Sequence, residues 1–367
     1  MSVIEVLRAG LSDTPAIHRP AGIEMRQELT PAAGAPVSPP SYPLDDGRTL
    51  EIHPRHIDGA MRDVIELDSV GSSANRIEEA LLVEYQQGRY PLPVSSTTIE
   101  SSAGEPIEIT TLEAPHRVFD SWVRLAATPG DEGAFEQSQR GRELSLAHAA
   151  ALDPILEASS HDLLFGVWDS HRSGPAGQVR IARSFVSTVL GLDPVPVMTR
   201  AARVDPLNLG EASQLKGPDV KKLSAQGLSS IPPQIRRPGV SISAARFVGF
   251  LSFASLRRLR FERYDDADVR ILLAALCLHG LMLRESAGWS LRSECELVPT
   301  AELALTVIRA GNGEAEPLAL TLDDTRALLD EAVARAGVQD RGLRLVGGQQ
   351  LTQLVERGLA AGQATES

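Results

Sequence analysis

Apolar residues recur along this chain with two periods, one near 3.6 and one of 2, and the places where one gives way to the other mark its elements. Residues 3–11 repeat as a short amphipathic helix. Periodicity then lapses up to residue 60, where the segment LTPAAGAPVSPPSYP, with Pro31, Pro36, Pro39, Pro40 and Pro43, predicts a loop without regular structure. Val64, Ile65 and Leu67 form a β-prone run that Gly71 breaks, and Ser72 or Ser73 is placed to cap a helix with Ile77, Leu81 and Leu82 on one face. Residues 90–111 alternate well enough for a β-hairpin about Ala103 and Gly104. Pro115 suits a helix start, and Val118, Trp122 and Leu125 supply the apolar stripe behind it. Residues 144–153 read as a helix that Pro154 stops, HDLLFGVWDSH as a buried strand, and 181–190 as a further helix.

The second half is more sharply patterned. Residues 191–240 are rich in Pro and Gly, and KGPDVKKLSAQGLSSIPPQIRRPG is the most irregular stretch. Beyond it, 240–253 alternates, 267–284 is an apolar helix, and GWSLRSECELV alternates as a strand. Residues 303–321 predict a hairpin about Gly311 and Gly313, and 322–336 a helix with Asp323 and Asp324 in its first turn, followed by a fraying tail from 358. A strand–helix–strand unit here complements the strand and helix around Ser72, and two such units build a ferredoxin-like sheet, so the expected class is α+β. The expected organisation is an N-terminal arm over 1–60, a palm with insertions over 61–300 including a basic loop at 200–240, and a C-terminal hairpin-and-helix appendage over 301–367.

Composition narrows the function. With 367 residues, 43% of them apolar, the chain can bury a sizeable core. The longest apolar run, 271–283, is too short to span a bilayer and contains His279, and MSVIEVLRAGLSD has no basic start before an apolar stretch, so a cytosolic protein is expected. Cys277 and Cys295 read as small core residues, and the eight histidines include no HxxxH or HExxH pair, so no metal and no cofactor are expected. Neither a Walker loop, nor GxSxG, nor GxGxxG after a strand is present. Asp68, Asp162 and Asp169 are acids near strand ends without the partners of a catalytic set.

Charge is unevenly spread. The net charge is −12, yet residues 200–263 hold twelve Lys or Arg against four Asp or Glu, including the chain's three lysines, whereas 264–367 hold sixteen acids against nine arginines. An acidic chain with one basic segment suits a selective polyanion binder better than an indiscriminate one. At the turn into the helix after Leu67, hydroxyls, an amide, a guanidinium and free helix N–H groups converge in Ser69, Ser72, Ser73, Asn75 and Arg76, a set that suits an anion. The bland alternative is an ordinary capped helix. His116 and Arg117 repeat the arrangement at a second predicted helix start, with a cap and an Arg117–Glu113 pair as its bland alternative. Arg172, Arg180 and Arg183 follow one strand end, and Lys216, Lys221, Lys222, Arg236 and Arg237 mark the irregular basic segment as a finger for a strand of nucleic acid. Only 4% of residues are aromatic, which favours backbone contacts over base stacking.

Taken in order, DSVGSSANRIEEALL, LEAPHRVFDSWVR, LLFGVWDSH, RVDPLNLG, the GVSIS to LRRLRF stretch and LRSECELV resemble the backbone subunit of type I-G (formerly I-U) CRISPR surveillance complexes, a Cas-seven-type member of the RAMP superfamily. The resemblance runs from about residue 25 to 300. It implies a modified RRM or ferredoxin-like palm with inserted finger and thumb elements. It further implies several copies side by side along a CRISPR RNA, which they hold without cutting and present for pairing with a target DNA strand. Its partners would be that RNA, copies of itself and the Cas-five/six-type and large subunits, with no membrane. The rival expectation is a RAMP-type RNA endonuclease.

Overall fold

A computed structural model describes residues 2–40, 50–100, 105–131, 133–169, 179–203, 206, 231–349, 351–355 and 357. In chain order the elements are α1 (Val3–Leu11), β1 (Pro20–Pro31), β2 (Ile52–Ile57), β3 (Ala60–Asp68), α2 (Val70–Gln86), β4 (Ser96–Ile99) and β5 (Ile107–Thr110). Short helices α3 (Ser121–Arg124), α4 (Gln139–Leu146), α5 (Asp153–Ala158) and α6 (Asp162–Phe165) follow, then β6 (Val167–Trp168), β7 (Arg180–Ile181), β8 (Phe185–Leu192), β9 (Val195–Arg203), β10 (Ile231–Ser241) and β11 (Ala244–Ser252). The rest is α7 (Phe253–Leu256), α8 (Asp266–Ala287), β12 (Trp289–Arg292), β13 (Cys295–Pro299), β14 (Ala304–Arg309), β15 (Ala315–Leu318), α9 (Leu322–Ala336) and β16 (Arg344–Val346).

The main sheet runs β12-β13-β1-β11-β8-β3-β2, with β14 and β15 attached to β1. Its middle four strands, β13-β1-β11-β8, are antiparallel neighbours. Numbered along the chain, with α2 between the first and second and α8 between the third and fourth, they stand in the order 4-1-3-2 of a βαββαβ unit. The fold is therefore α+β, and its palm is ferredoxin-like. β1 is central to it, so residues 20–31 are no arm: Ile23, Met25 and Leu29 point into the core while Glu24, Arg26 and Glu28 face out. Gln27 is a polar residue on that same buried face; its amide N–H groups donate to Glu285 (2.6 Å) and the Ala301 carbonyl (3.2 Å), while its Oε1 is buried without a partner.

At three further places the structure departs from the elements read from the local pattern, twice through long-range contacts. Residues 162–165 form a helical turn, not a strand, because Asp162 accepts the Val118 N–H (3.0 Å) and the segment folds into the core. Residues 185–192 form a strand, not a helix, since β8 fills the place between β11 and β3. Pro154 lies in the first turn of α5 and starts that helix instead of stopping an earlier one. The stretch 116–125 breaks into a 3₁₀ turn, Arg117–Phe119, and α3, and GWSLRSECELV folds as the hairpin β12–β13. Nor is the C-terminal part an appendage: β14 pairs with β1 and β16 pairs in parallel with β4. Residues 207–230, and with them the central part of the basic segment, lie outside the described residues, as does the tail from 358.

Cys277 and Cys295 are buried free thiols, as the pattern predicts. No helix among the described residues is long and apolar enough to cross a membrane. Helices α2 and α8 approach closely where Gly280 faces Ile77: a Cβ added there would lie 2.7 Å from Ile77 Cγ2. Gly280→Ala should therefore destabilise the protein although alanine is the better helix former. An overpacking cost of about 1–3 kcal/mol outweighs a propensity gain of about 1 kcal/mol. The thermal midpoint of the variant is expected to fall, and an unchanged or higher midpoint would mean the two helices can part freely.

Candidate nucleic-acid interface

Helices α1, α2 and α8 share the core with Phe185, Val189, Phe247 and Leu251, which alternate with residues of opposite orientation along β8 and β11. Val186, Thr188 and Leu190 of β8 and Arg246, Val248 and Phe250 of β11 thus belong to the other face of the sheet. There they line an open cleft of about 460 Å³ with Glu24 and Arg26 of β1 and Arg55 and His56 of β2. The cleft is largely apolar at its floor, and its charged lining is mixed, Arg26, Arg55 and Arg246 with Glu24 and Asp58. Val70, the first residue of α2, stands in its wall, so the positive end of that helix opens beside it.

Most of the positive charge here is already paired. Arg26 bonds to Glu28 (2.9 Å) and Asp58 (3.1 Å), and Arg246 to the same two acids at 2.7 and 2.8 Å. Asp58 reaches them from the β2–β3 turn, where Asp58 (φ 50°) and Gly59 (φ 80°) both take left-handed backbone, as a two-residue I′ hairpin requires. The two guanidiniums, Arg246 foremost, hold its carboxyl below the usual range. Arg55, which donates to His53 (3.0 Å), and His56 are exposed.

The residues picked from sequence around Ser72 separate in space. The helix cap is Ser69, not Ser72 or Ser73, because the helix starts at Val70 and runs through Gly71: Ser69 Oγ accepts the Ser72 N–H at 3.3 Å. Ser73 is buried, its hydroxyl 2.6 Å from that of Ser187, while Asn75 is exposed. Arg76 turns away from the cap. It pairs with buried Asp68 (3.1 Å) and donates to the carbonyls of Ser290 (3.3 Å) and Leu291 in β12.

Arg117 lies inside the protein, where an RNA phosphate has no access. It holds Glu78 through two bonds of 2.7 and 2.9 Å, donates to the Gly166 carbonyl (3.0 Å) and lies over the Phe165 ring. It reaches this position with φ at 53°, a left-handed backbone that a bulky residue adopts only when its surroundings compensate. Asp162 accepts the Ser159 hydroxyl (2.5 Å) and the Val118 N–H, and His161 is fully buried beside it. Burial pushes Glu78 up, Asp162 up to about 7, and His161 down to about 3. His116 is exposed and its backbone N–H donates to Asp120 (2.9 Å). Arg180 is exposed over the half-exposed Trp168 ring (5.6 Å), and Arg183 is exposed at the edge of the buried cluster. Arg236 and Arg237 fall in β10, which pairs with β9 as a long two-stranded ribbon between β8 and β11. Arg172, Lys216, Lys221 and Lys222 lie outside the described residues. The cleft residues Arg26, Arg55, His56, Arg246 and Phe250 escape a reading of single motifs. The Asp-Gly turn at 58–59, flanked by alternating residues, was the available signal for the hairpin that brings Arg55 and His56 there.

Among the described residues no group of three or more His, Cys, Asp or Glu could hold a metal ion. The buried cluster makes two checkable statements. Arg117→Ala leaves Glu78 buried without its partner and should cost about 3–5 kcal/mol of stability, seen as a large drop in thermal midpoint. Replacing both Arg117 and Glu78 by residues of similar volume, as in Arg117→Met with Glu78→Leu, should recover much of that loss. Asp162, protonated up to about pH 7 in the folded state, ionises near pH 4 in the unfolded chain. The folded protein then binds the extra proton between those values, and this residue's contribution to stability falls as pH rises through the window. Asp162→Asn should remove that slope: the midpoint of the wild type relative to the variant is expected to decline from about pH 4 to 7, and parallel curves would refute the assignment.

No curated protein matches the chain. Residues 23–195 match the family model described as CRISPR-associated protein GSU0053, a stretch that runs from β1 through α2 and β8 into the start of β9, the first β-α-β half of the palm. That match supports a CRISPR-associated protein, with a role in CRISPR defence.

Proposed function

We propose that this chain is the RNA-holding backbone subunit of a type I-G CRISPR effector complex, a Cas-seven-type protein of the RAMP superfamily in the cytoplasm. It binds CRISPR RNA without cutting it, repeats along the guide beside further copies and other Cascade subunits, and presents the guide to a target DNA strand. The observation that carries this reading is the open sheet face of a ferredoxin-like palm in a chain whose first half matches a CRISPR-associated family. That face offers the three things a single strand needs. Phe250, partly exposed, gives a surface for a base, Val186 and Val248 give apolar contact, and Arg55 with the α2 N-terminus gives charge for phosphates. The β9–β10 ribbon, inserted between two palm strands, has the form of the finger or thumb element that the resemblance implies.

A holder that reads the backbone gains its reach from repetition, because linking many weak identical sites multiplies affinity without new contacts. Copies joined by a contact that does not close form an open array along the strand.

Fluorescence anisotropy with single-stranded RNA tests the face. Phe250→Ala is expected to weaken binding by about 1–3 kcal/mol through lost stacking. Arg55→Ala is expected to weaken all sequences alike and lower the salt slope by about 0.7. Particle mass by light scattering should climb stepwise with RNA length while the RNA stays intact. Unchanged affinity in both variants would move the interface elsewhere, and RNA cleavage by the purified protein would make it a RAMP-type endonuclease.

A further inference from the structure

On the helix-bearing side of the palm, α2, the end of α8 and β12 enclose a recess of about 210 Å³, lined by Arg76, Glu79, Val83, Arg284 and Trp289. Two groups at this recess are buried with incomplete bonding. Arg284 is 4% exposed and lies over the Trp289 ring beside Phe247, its guanidinium carbon 3.3 Å from the Trp289 centroid and 4.7 Å from that of Phe247. It donates to Glu285 (3.2 Å), a carboxylate that also receives Gln27. The Trp289 indole Nε1 is buried without a hydrogen-bond partner, which is uncommon for a group that can only donate. Arg76 reaches the same recess from α2 while it holds Asp68, an acid that Arg292 also approaches (3.9 Å).

We propose that this recess is a binding site for a phosphate group. The Arg284 guanidinium and the unpartnered Trp289 indole N–H supply donors from two elements, and Arg76, whose own donors go to Asp68 and the β12 carbonyls, adds positive charge at the wall, an arrangement that suits an oxyanion with acceptors on several sides. Arg284 is already oriented by its aromatic neighbours, so little side-chain freedom is lost on capture. Besides Asp68 and Glu285, the carboxylates that pair the two guanidiniums, two features oppose an anion: the C-terminal carbonyls of α8 at Ala287 and the exposed carboxylate of Glu79. The first lies at the same helix end as the two guanidiniums, and the second stands at the rim, where it tunes affinity. The phosphate can be free or part of an RNA backbone. In the second case the site adds a contact to the RNA-holding reading and rests on it, while the free anion does not.

The test uses the full chain with Trp122 and Trp168 changed to Phe, so that Trp289 alone reports. Titration with inorganic phosphate is expected to change its emission saturably. Glu79→Gln, an exposed change that leaves the fold alone, should tighten binding severalfold by removing a like charge. Trp289→Phe keeps the ring and removes the N–H, and by calorimetry it should weaken phosphate binding by about tenfold, as should Arg284→Lys. A saturable response to short RNA lacking terminal phosphate assigns the source to the backbone, and a response to inorganic phosphate alone assigns it to the free anion. The proposal is overturned if phosphate and RNA both leave Trp289 unchanged, if Glu79→Gln has no effect on the titration, or if acetate saturates the site and phosphate does not. RNA binding at the open face with a silent Trp289 would overturn this site and leave the RNA-holding reading standing. Phosphate binding without any RNA binding would do the reverse.

Discussion

A charge taken out of water has to be met by an opposite charge, and much of this molecule's architecture follows from that requirement. The Arg117–Glu78 pair joins the 3₁₀ turn after β5 to α2, and Arg117 continues to the Gly166 carbonyl at the end of α6. Arg270, fully buried in α8, bonds the carbonyls of Leu11 and Leu259 and the acids Asp13 and Asp266, and so ties α1 to the turn before α8. Glu157 of α5 receives Arg263, Tyr264 and Arg341, drawing the C-terminal segment against the small helices. Each joint fastens an insertion or a terminus to the palm. Removing one partner strands the other in a medium that cannot solvate it, which makes such joints specific about geometry whatever their net worth.

The same requirement decides which arginines are left for a ligand. Arg26 and Arg246 share Glu28 and Asp58, and Arg76 is shared between Asp68 and β12 carbonyls. Positive residues counted along the chain therefore overstate the free positive surface. What the open face offers instead is a mixed cleft, with apolar floor, one aromatic ring and a helix N-terminus at its edge. Such a surface can follow a strand of RNA without reading its bases one by one.

Close approach of α2 to α8 links this architecture to the sheet. It relies on Gly280, since any Cβ there meets Ile77. Because α2 begins directly at the end of β3, its packing depth also sets where its first N–H groups and Val70 stand relative to the cleft. The stability of the core and the position of the proposed interface are thereby coupled.

By itself the sequence determined whatever depends on near neighbours. The helices at 3–11, 266–287 and 322–336, the strand before Ser69, the hairpins at 96–110 and 304–318 and the burial of both cysteines are legible because amphipathic period, caps and turn residues act over a few positions. Only the tertiary structure decided the central place of β1, whose proline-flanked run reads as an arm until β11, β13 and β14 pair with it. It likewise made 185–192 a strand and 162–165 a helical turn, and turned Arg117 inward to a carboxylate 39 residues away. Strand partners and buried ion pairs are chosen by contacts between distant segments. Those contacts leave no period in the local pattern, so a residue type that suits phosphate binding and one that suits a buried salt bridge look alike until the chain has folded.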